Sequence, residues 1–289
     1  MNLFLEFSLI GIASGGIYVL AALSFVIVYK ATNIFNFATG EMMMMGTYFF
    51  YLFDTQLGLG WIAGLGAGLC AAALLALVVE RSMLRPLLGR PHIVLVMVTF
   101  GVGSILRGIA GLVWGPNYGS SPRSCHAGRS SWATSWSRAS SPGASSRQAS
   151  SPGCSCSTTS SRAPAAIRAT STDQVTAESL GINIRAVFLL AWALAGLLTA
   201  TSGIITASVN GVTPQLGQVA LNVLAVVMLA GMTSVGGVVV AGLFVGWMET
   251  IVGAYLGAAW QSFIPYLVVL VVMFVKPSGL FGEQRVERI

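Results

Sequence analysis

From Ser8 to Val28 the chain runs without one charged side chain, and seven further apolar runs follow it. They lie at about 36–53, 58–79, 93–114, 186–207, 217–233, 237–258 and 262–275. The hydrocarbon core of a bilayer takes roughly 20 apolar residues in helical form, so each run reads as a crossing, the short last one with Lys276 snorkelling to the interface. Only 8% of the 289 residues are charged, where a soluble domain carries about 25%. That excludes an ordinary soluble enzyme. The predicted fold class is all-α: a polytopic helical membrane protein with eight visible crossings plus one lost, in two halves with Gly-interrupted helices.

Small residues recur at a spacing of four: Gly11 and Gly15, Gly60, Gly64 and Gly68, Gly242 and Gly246, Gly253 and Gly257. Such pairs let helix backbones approach closely in lipid, so they imply a bundle rather than an activity. Basic residues mark one side. Lys30, the trio Arg81, Arg85 and Arg90, and the tail with Lys276, Arg285 and Arg288 stand on alternate connections, while the connection around Asp54 has none. The positive-inside bias puts these connections in the cytoplasm and the N-terminus outside. The fourth crossing then delivers Tyr118 to the outer side, whereas 167–185 counts back to the inner side. An odd number of crossings is required between them, and the sequence supplies none.

The intervening stretch, 119–166, has 17 Ser in 48 residues and no Leu, Ile, Val, Phe or Met. So few apolar groups cannot offset chain entropy, which predicts disorder. Two origins stay open. One is a Ser/Pro linker. The other, which we favour, is a shifted reading frame through DNA that once encoded a crossing: codons ending in TC become Ser codons and those ending in TG become Cys or Trp codons when read one base late. The predicted organisation is therefore 1–118 as an N-terminal transmembrane half, 119–166 as this segment, 167–185 as a cytoplasmic segment and 186–289 as a C-terminal transmembrane half.

The net charge of +6 is no sign of nucleic-acid binding. Arg123, Arg129, Arg138, Arg147 and Arg162 all fall in 119–166, and without them the basic and acidic counts nearly balance. Three of the four cysteines (Cys125, Cys154, Cys156) lie there too, with no zinc-ligand spacing or disulfide framework. Met1 to Phe7 has no basic n-region, so no removable signal peptide is expected. Neither lysine sits in a Gly-Lys-[Ser/Thr] phosphate loop, so the chain is not expected to be its own ATPase. No catalytic set, metal site or bound cofactor is expected.

Three features remain. In Asn33-Ile-Phe-Asn-Phe-Ala-Thr-Gly-Glu41, the residues Asn36, Thr39 and Gly40 suit the interior of a lipid-facing helix poorly. Either Asn36 or Thr39 caps a helix with Glu41 in its first turn, or a broken helix offers its backbone and Glu41 to a translocation route. In Leu229-Ala-Gly-Met-Thr-Ser-Val-Gly-Gly237, Gly231, Ser234 and Gly237 form either a helical hairpin turn or a second interruption beside that route. The segment Asp173 to Leu180, stopped by Gly181, reads as a short amphipathic helix that either connects crossings or docks a partner. Arg107 and Glu249 sit within apolar runs, where charge is costly; they either pair with each other or line water.

Asn36-Phe-Ala-Thr-Gly-Glu41 before a Met-rich run, Ala177-x-x-x-Gly181-Ile-Asn183, Gly231-x-x-Ser-x-x-Gly237 and Lys276-Pro-Ser-Gly-Leu-Phe-Gly282 together resemble the inner-membrane permeases of branched-chain amino-acid ABC importers. The likeness covers 1–118 and 167–289. It implies a multi-pass protein of the bacterial inner membrane, paired with a second permease subunit, two cytoplasmic ATPase subunits that bind the ATP, and a periplasmic substrate-binding protein. It also implies that Ala177, Glu178 and Gly181 dock on the ATPase, and that Asn36, Thr39, Gly40, Glu41, Gly231, Ser234 and Gly237 flank the substrate path. Thr39 stands where the family pattern carries His. Two other functions remain open: a secondary transporter or channel using Glu41 or Glu249 as a proton-linked carboxylate, and a non-functional product of a damaged gene.

Overall fold

The computed structural model describes residues 2–87, 91–115, 183–276 and 279–282. Within them lie eight α-helices: α1 (Asn2–Thr32), α2 (Thr39–Tyr51), α3 (Trp61–Val79), α4 (His92–Trp114), α5 (Ile184–Asn210), α6 (Val219–Ala230), α7 (Val235–Leu256) and α8 (Ala258–Val275). Each expected apolar run therefore holds a helix. The segment 119–166 and the coupling segment as far as residue 182 lie outside the described residues, so the domain boundaries expected there rest on the sequence.

Five helices, α1, α3, α4, α5 and α7, are long and apolar enough to cross a bilayer. The other three are shorter, with 13 residues in α2, 12 in α6 and 18 in α8. At 1.5 Å per residue α2 and α6 reach only about 18–20 Å, well short of the bilayer core. This narrows the expectation of eight full crossings. Hydropathy registers 36–38 and 231–233 as part of apolar runs, but the backbone there has already left the helix. A wide π turn at Leu52–Gln56 extends α2, and a 3-10 turn at Pro214–Gln218 leads into α6.

The small-residue pairs mark the closest seams. On α1 and α7 a Cβ added to Gly11 would come within 2.9 Å of the Trp247 Cα, and one on Gly246 would collide with the Gly15 backbone. Gly64 and Gly68 of α3 likewise pack on Asp54 and Phe50. In lipid, where apolar burial gives no hydrophobic drive, this close backbone approach supplies dispersion contact. Helix α5 runs through the centre: Phe188, Ala191, Trp192, Ala195, Ala200 and Ala207 are buried, and the Ser202 hydroxyl donates to the Ile17 carbonyl at 3.1 Å.

The two ends of the bundle can be told apart. Helices α2 and α4 run parallel, with Phe37 beside Phe100, Glu41 beside Arg107 and Tyr48 stacked on Trp114 at 5.0 Å. Trp114 therefore lies at the end opposite the α1 C-terminus. The start of α5 lies at the other end, where Phe188 and Ile184 pack against Ala31 and Ile27 of α1. Gly115 and Asn183, which flank the longest undescribed stretch, thus stand at opposite ends of the bundle. The Asn183 end also carries Lys30, Arg81 and Lys276, the end that the positive-inside rule assigns to the cytoplasm.

Candidate functional site

Helix α1 stops because Asn33 takes a left-handed conformation (φ 58°), which Asn tolerates better than most residues. The Thr32 hydroxyl donates to Val28 O at 2.8 Å and accepts the Ile34 N–H at 3.3 Å. The chain then turns back into the bundle without forming a helix at once. Its Phe37 N–H donates to Thr99 Oγ1 of α4 at 3.2 Å, the Asn36 amide oxygen accepts the Ala38 N–H at 3.1 Å, and Thr39 Oγ1 donates to Asn36 O at 2.8 Å. Asn36 and Thr39 thus satisfy the backbone of a non-helical turn, as buried polar groups must. Helix α2 begins here, level with Gly103 of α4, whose added Cβ would lie 3.2 Å from Glu41 Oε2. Gly103 is eleven residues into α4, about 16 Å along it at the α-helical rise. The N-terminus of α2 is therefore inside the membrane.

A second chain segment arrives at the same depth. After α5 the backbone re-enters through Val212 and Leu216, both buried, to the turn at Pro214–Gln218. A Cβ on Gly40 would collide with the Gly217 carbonyl oxygen and stand 2.5 Å from Ala220 Cβ. Gly40 is thus the contact that lets the starts of α2 and α6 meet. Two short helices beginning at mid-membrane depth present backbone N–H groups and the positive ends of their dipoles there.

Between α1, α2, α4 and the start of α6 lies a cavity of about 540 Å³, within the size range of small-molecule sites. Phe25, Phe37, Phe100, Leu221 and Leu224 form an apolar wall, and Asn36, Thr39, Glu41, Ser104, Arg107 and Gln218 supply the polar groups. Arg107 donates to Glu41 Oε1 at 2.6 Å; the arginine side chain is 50% exposed and the glutamate 14%. A charge at this depth is costly unless paired, and each of these residues is paired by the other.

Of the residues expected beside the route, Asn36, Thr39 and Glu41 line this cavity and Gly40 closes the helix contact behind it. Gly231, Ser234 and Gly237 stand elsewhere. Gly231 ends α6 with φ 88°, Ser234 caps α7 by accepting the Gly237 N–H at 3.0 Å, and Gly237 packs against Phe281. This turn lies at the basic end, where the Leu280 and Phe281 N–H groups donate to Leu229 and Ala230 carbonyls at 2.9 and 3.0 Å. The hairpin-turn alternative describes it, and the two interrupted segments are not brought together. Ala177, Glu178 and Gly181 lie outside the described residues.

Of the two alternatives open for Arg107 and Glu249, pairing with each other is not the one formed. Arg107 reaches Glu41 because α4 lies along α2, while α7 lies along α1 on the other side of the bundle. Glu249, buried, instead lies beside Tyr18 of α1 and Gln261 of α8. Asn222 joins the same network, accepting from the Tyr266 hydroxyl at 2.9 Å. Among cavity residues, Phe100, Ser104, Arg107 and Gly108 were missed as a group. Their spacing of four, three and one places them on one face of α4, a signal that was present in the sequence.

Short helices that meet at mid-membrane depth around a largely apolar cavity with one charged pair are the architecture of a membrane transport permease. The chain belongs to the family described as branched-chain amino acid transport system / permease component, whose model matches residues 8–273. It is similar to the high-affinity branched-chain amino acid transport system permease protein LivH of Escherichia coli K12, 25% identical over 99% of this chain and 98% of that one. It is similar also to the permease protein BraD of Pseudomonas aeruginosa, 22% identical over 96% of both chains. No solved structure matches. The all-helical multi-pass architecture and the inner-membrane location expected from the sequence hold.

Proposed function

We propose that this chain is a membrane subunit of an ABC importer for branched-chain or similar apolar amino acids. It works beside a second permease subunit, receives substrate from a periplasmic binding protein and is driven by two cytoplasmic ATPase subunits, which bind the ATP. The observation that supports this most is the mid-membrane cavity, with its wall of Phe25, Phe37, Phe100, Leu221 and Leu224 beside the Glu41–Arg107 pair. An apolar side chain finds its solvent in that wall, and a charged head group finds counter-charges at the pair. Asn36, Thr39, Gly40 and Glu41 are assigned to the substrate path. Gly231, Ser234 and Gly237 are assigned to the basic end, where they tie the α6–α7 turn to Gly279–Phe281.

The coupling role is assigned to Ala177, Glu178 and Gly181 by the motif they carry. Helix α5, which follows them in the chain, starts at the basic end, on the side where an ATPase would sit. Co-purification of the ATPase subunits with this chain tests the assignment. Association that is lost when Glu178 and Gly181 are replaced supports it, and undiminished association overturns it.

A gradient-driven transporter is the second reading. Glu249 favours it: a buried carboxyl within a crossing that no basic group reaches among the described residues. Uptake driven by an ion gradient in vesicles free of ATPase would select that reading.

A further inference from the structure

We infer that the cavity between α2, α4 and α6 is a way station that takes the zwitterion of an apolar amino acid by opening the Glu41–Arg107 pair. The α-carboxylate goes to Arg107, the α-ammonium to Glu41, and the side chain enters the wall of Phe25, Phe37 and Leu224. The inference rests on the permease reading and deepens it to the chemical class that this subunit itself selects.

Charge bookkeeping at membrane depth carries the argument. A resident ion pair in apolar surroundings is tolerated because neither charge is left alone. A ligand with one charge can bind either partner only by stranding the other. A zwitterion replaces one ion pair with two and strands nothing. The geometry suits the exchange. Glu41 is held in the first turn of α2 and 14% exposed, whereas Arg107 is 50% exposed, so the arginine is the member that can swing. The α2 N-terminus, where the helix dipole favours an anion, faces the same space.

Of the remaining polar groups, Gln218 offers a neutral amide and three others already have partners. Asn36 Oδ1 accepts from Ala38, the Thr39 hydroxyl donates to Asn36 O, and the Ser104 hydroxyl donates to Phe100 O at 3.1 Å. The charges of the head group therefore meet counter-charges at Glu41 and Arg107, and the rest of the wall is neutral and mostly apolar. A ligand side chain with its own charge would have no partner there.

The test uses the full chain in membranes with its partner subunits, without the binding protein, so that the selectivity read is that of the permease. Ser104→Cys places a thiol on the cavity wall, and its modification by a small methanethiosulfonate is followed by mass spectrometry at position 104, which separates it from the native cysteines. Leucine at ten times its dissociation constant should slow modification about tenfold by simple occupancy. The analogues lacking one charge, 4-methylpentanoate and 3-methylbutylamine, should give no protection at that concentration. Adding Glu41→Gln should abolish leucine protection. Leu224→Phe leaves the ion pair intact and shortens the apolar end; it should lose protection by leucine and keep protection by alanine. Equal protection by the single-charge analogues overturns the inference, as does a complex that imports leucine with ATP once the loaded binding protein is added yet shows no protection in its absence. Protection in a complex that shows no ATP-driven uptake even when the loaded binding protein is added supports the site and overturns the importer reading instead.

Discussion

Arg107 of α4 and Glu41 of α2, 66 residues apart in the chain, meet at 2.6 Å on the wall of a mid-membrane cavity. One contact thereby ties a crossing helix to a short one that starts inside the membrane, and places opposite charges where an apolar solute would pass.

Removing one member of this pair should cost more than removing both. Arg107→Gln leaves the Glu41 carboxylate without its partner, while the double variant with Glu41→Gln leaves none stranded. A double-mutant cycle on thermal unfolding in detergent should show a coupling of about 1–3 kcal/mol, with the double variant more stable than Arg107→Gln. Additive losses would show that the two side chains do not depend on each other.

Gly40 is where the starts of α2 and α6 touch, and a side chain there has no space. Gly40→Leu should destabilise the protein by about 1–3 kcal/mol through overpacking and should abolish transport, because the helix ends that frame the cavity are pushed apart. Gly101→Ala in α4, with nothing within 4 Å of the added Cβ, is the control. It should gain about 0.5–1 kcal/mol, as a helical glycine does on becoming alanine. Thermal melting of the two variants beside the parent reads both signs.

Glu249→Gln keeps a group that can hydrogen-bond Tyr18 and Gln261 but removes the ionisable carboxyl. Uptake of leucine by the assembled importer should be unchanged within a factor of about two, a difference under 0.5 kcal/mol in barrier. Abolished uptake with normal expression would give weight to the gradient-driven reading.

The DNA encoding 119–166 should carry, in a neighbouring frame, an apolar stretch of roughly 20 residues, enough for one helical crossing. Gly115 and Asn183 stand at opposite ends of the bundle, so a chain joining them has to pass from one end to the other. Sequencing that DNA decides the matter. Without such a stretch in either neighbouring frame, the frame-shift origin fails and the linker reading stands.

The helices were legible because lipid imposes a length and an apolarity on each of them, and those properties survive in any reading of hydropathy. The seams were legible for a related reason: Gly11, Gly15, Gly242 and Gly246 are small at helical spacing, and α1 and α7 use them against each other. Helix starts were less so, since hydropathy could not show that Asn36 to Ala38 fold back as a turn held by Thr99. The cavity was half legible. Asn36, Thr39 and Glu41 stood out as polar residues in an apolar run, but Phe100, Ser104 and Arg107 become neighbours of Glu41 only through the parallel packing of α2 and α4. By sequence Arg107 was set against Glu249 or water, and only the tertiary arrangement shows Glu41 as its partner.

The most direct test of the account is labelled leucine uptake into vesicles that hold this chain with its second permease and ATPase subunits and receive the loaded binding protein. The expected result is uptake that requires ATP, persists when ion gradients are collapsed, and falls at least about tenfold, or 1.4 kcal/mol in barrier, with Glu41→Gln. Uptake that needs an ion gradient and proceeds without ATP, or that is indifferent to Glu41, would contradict it.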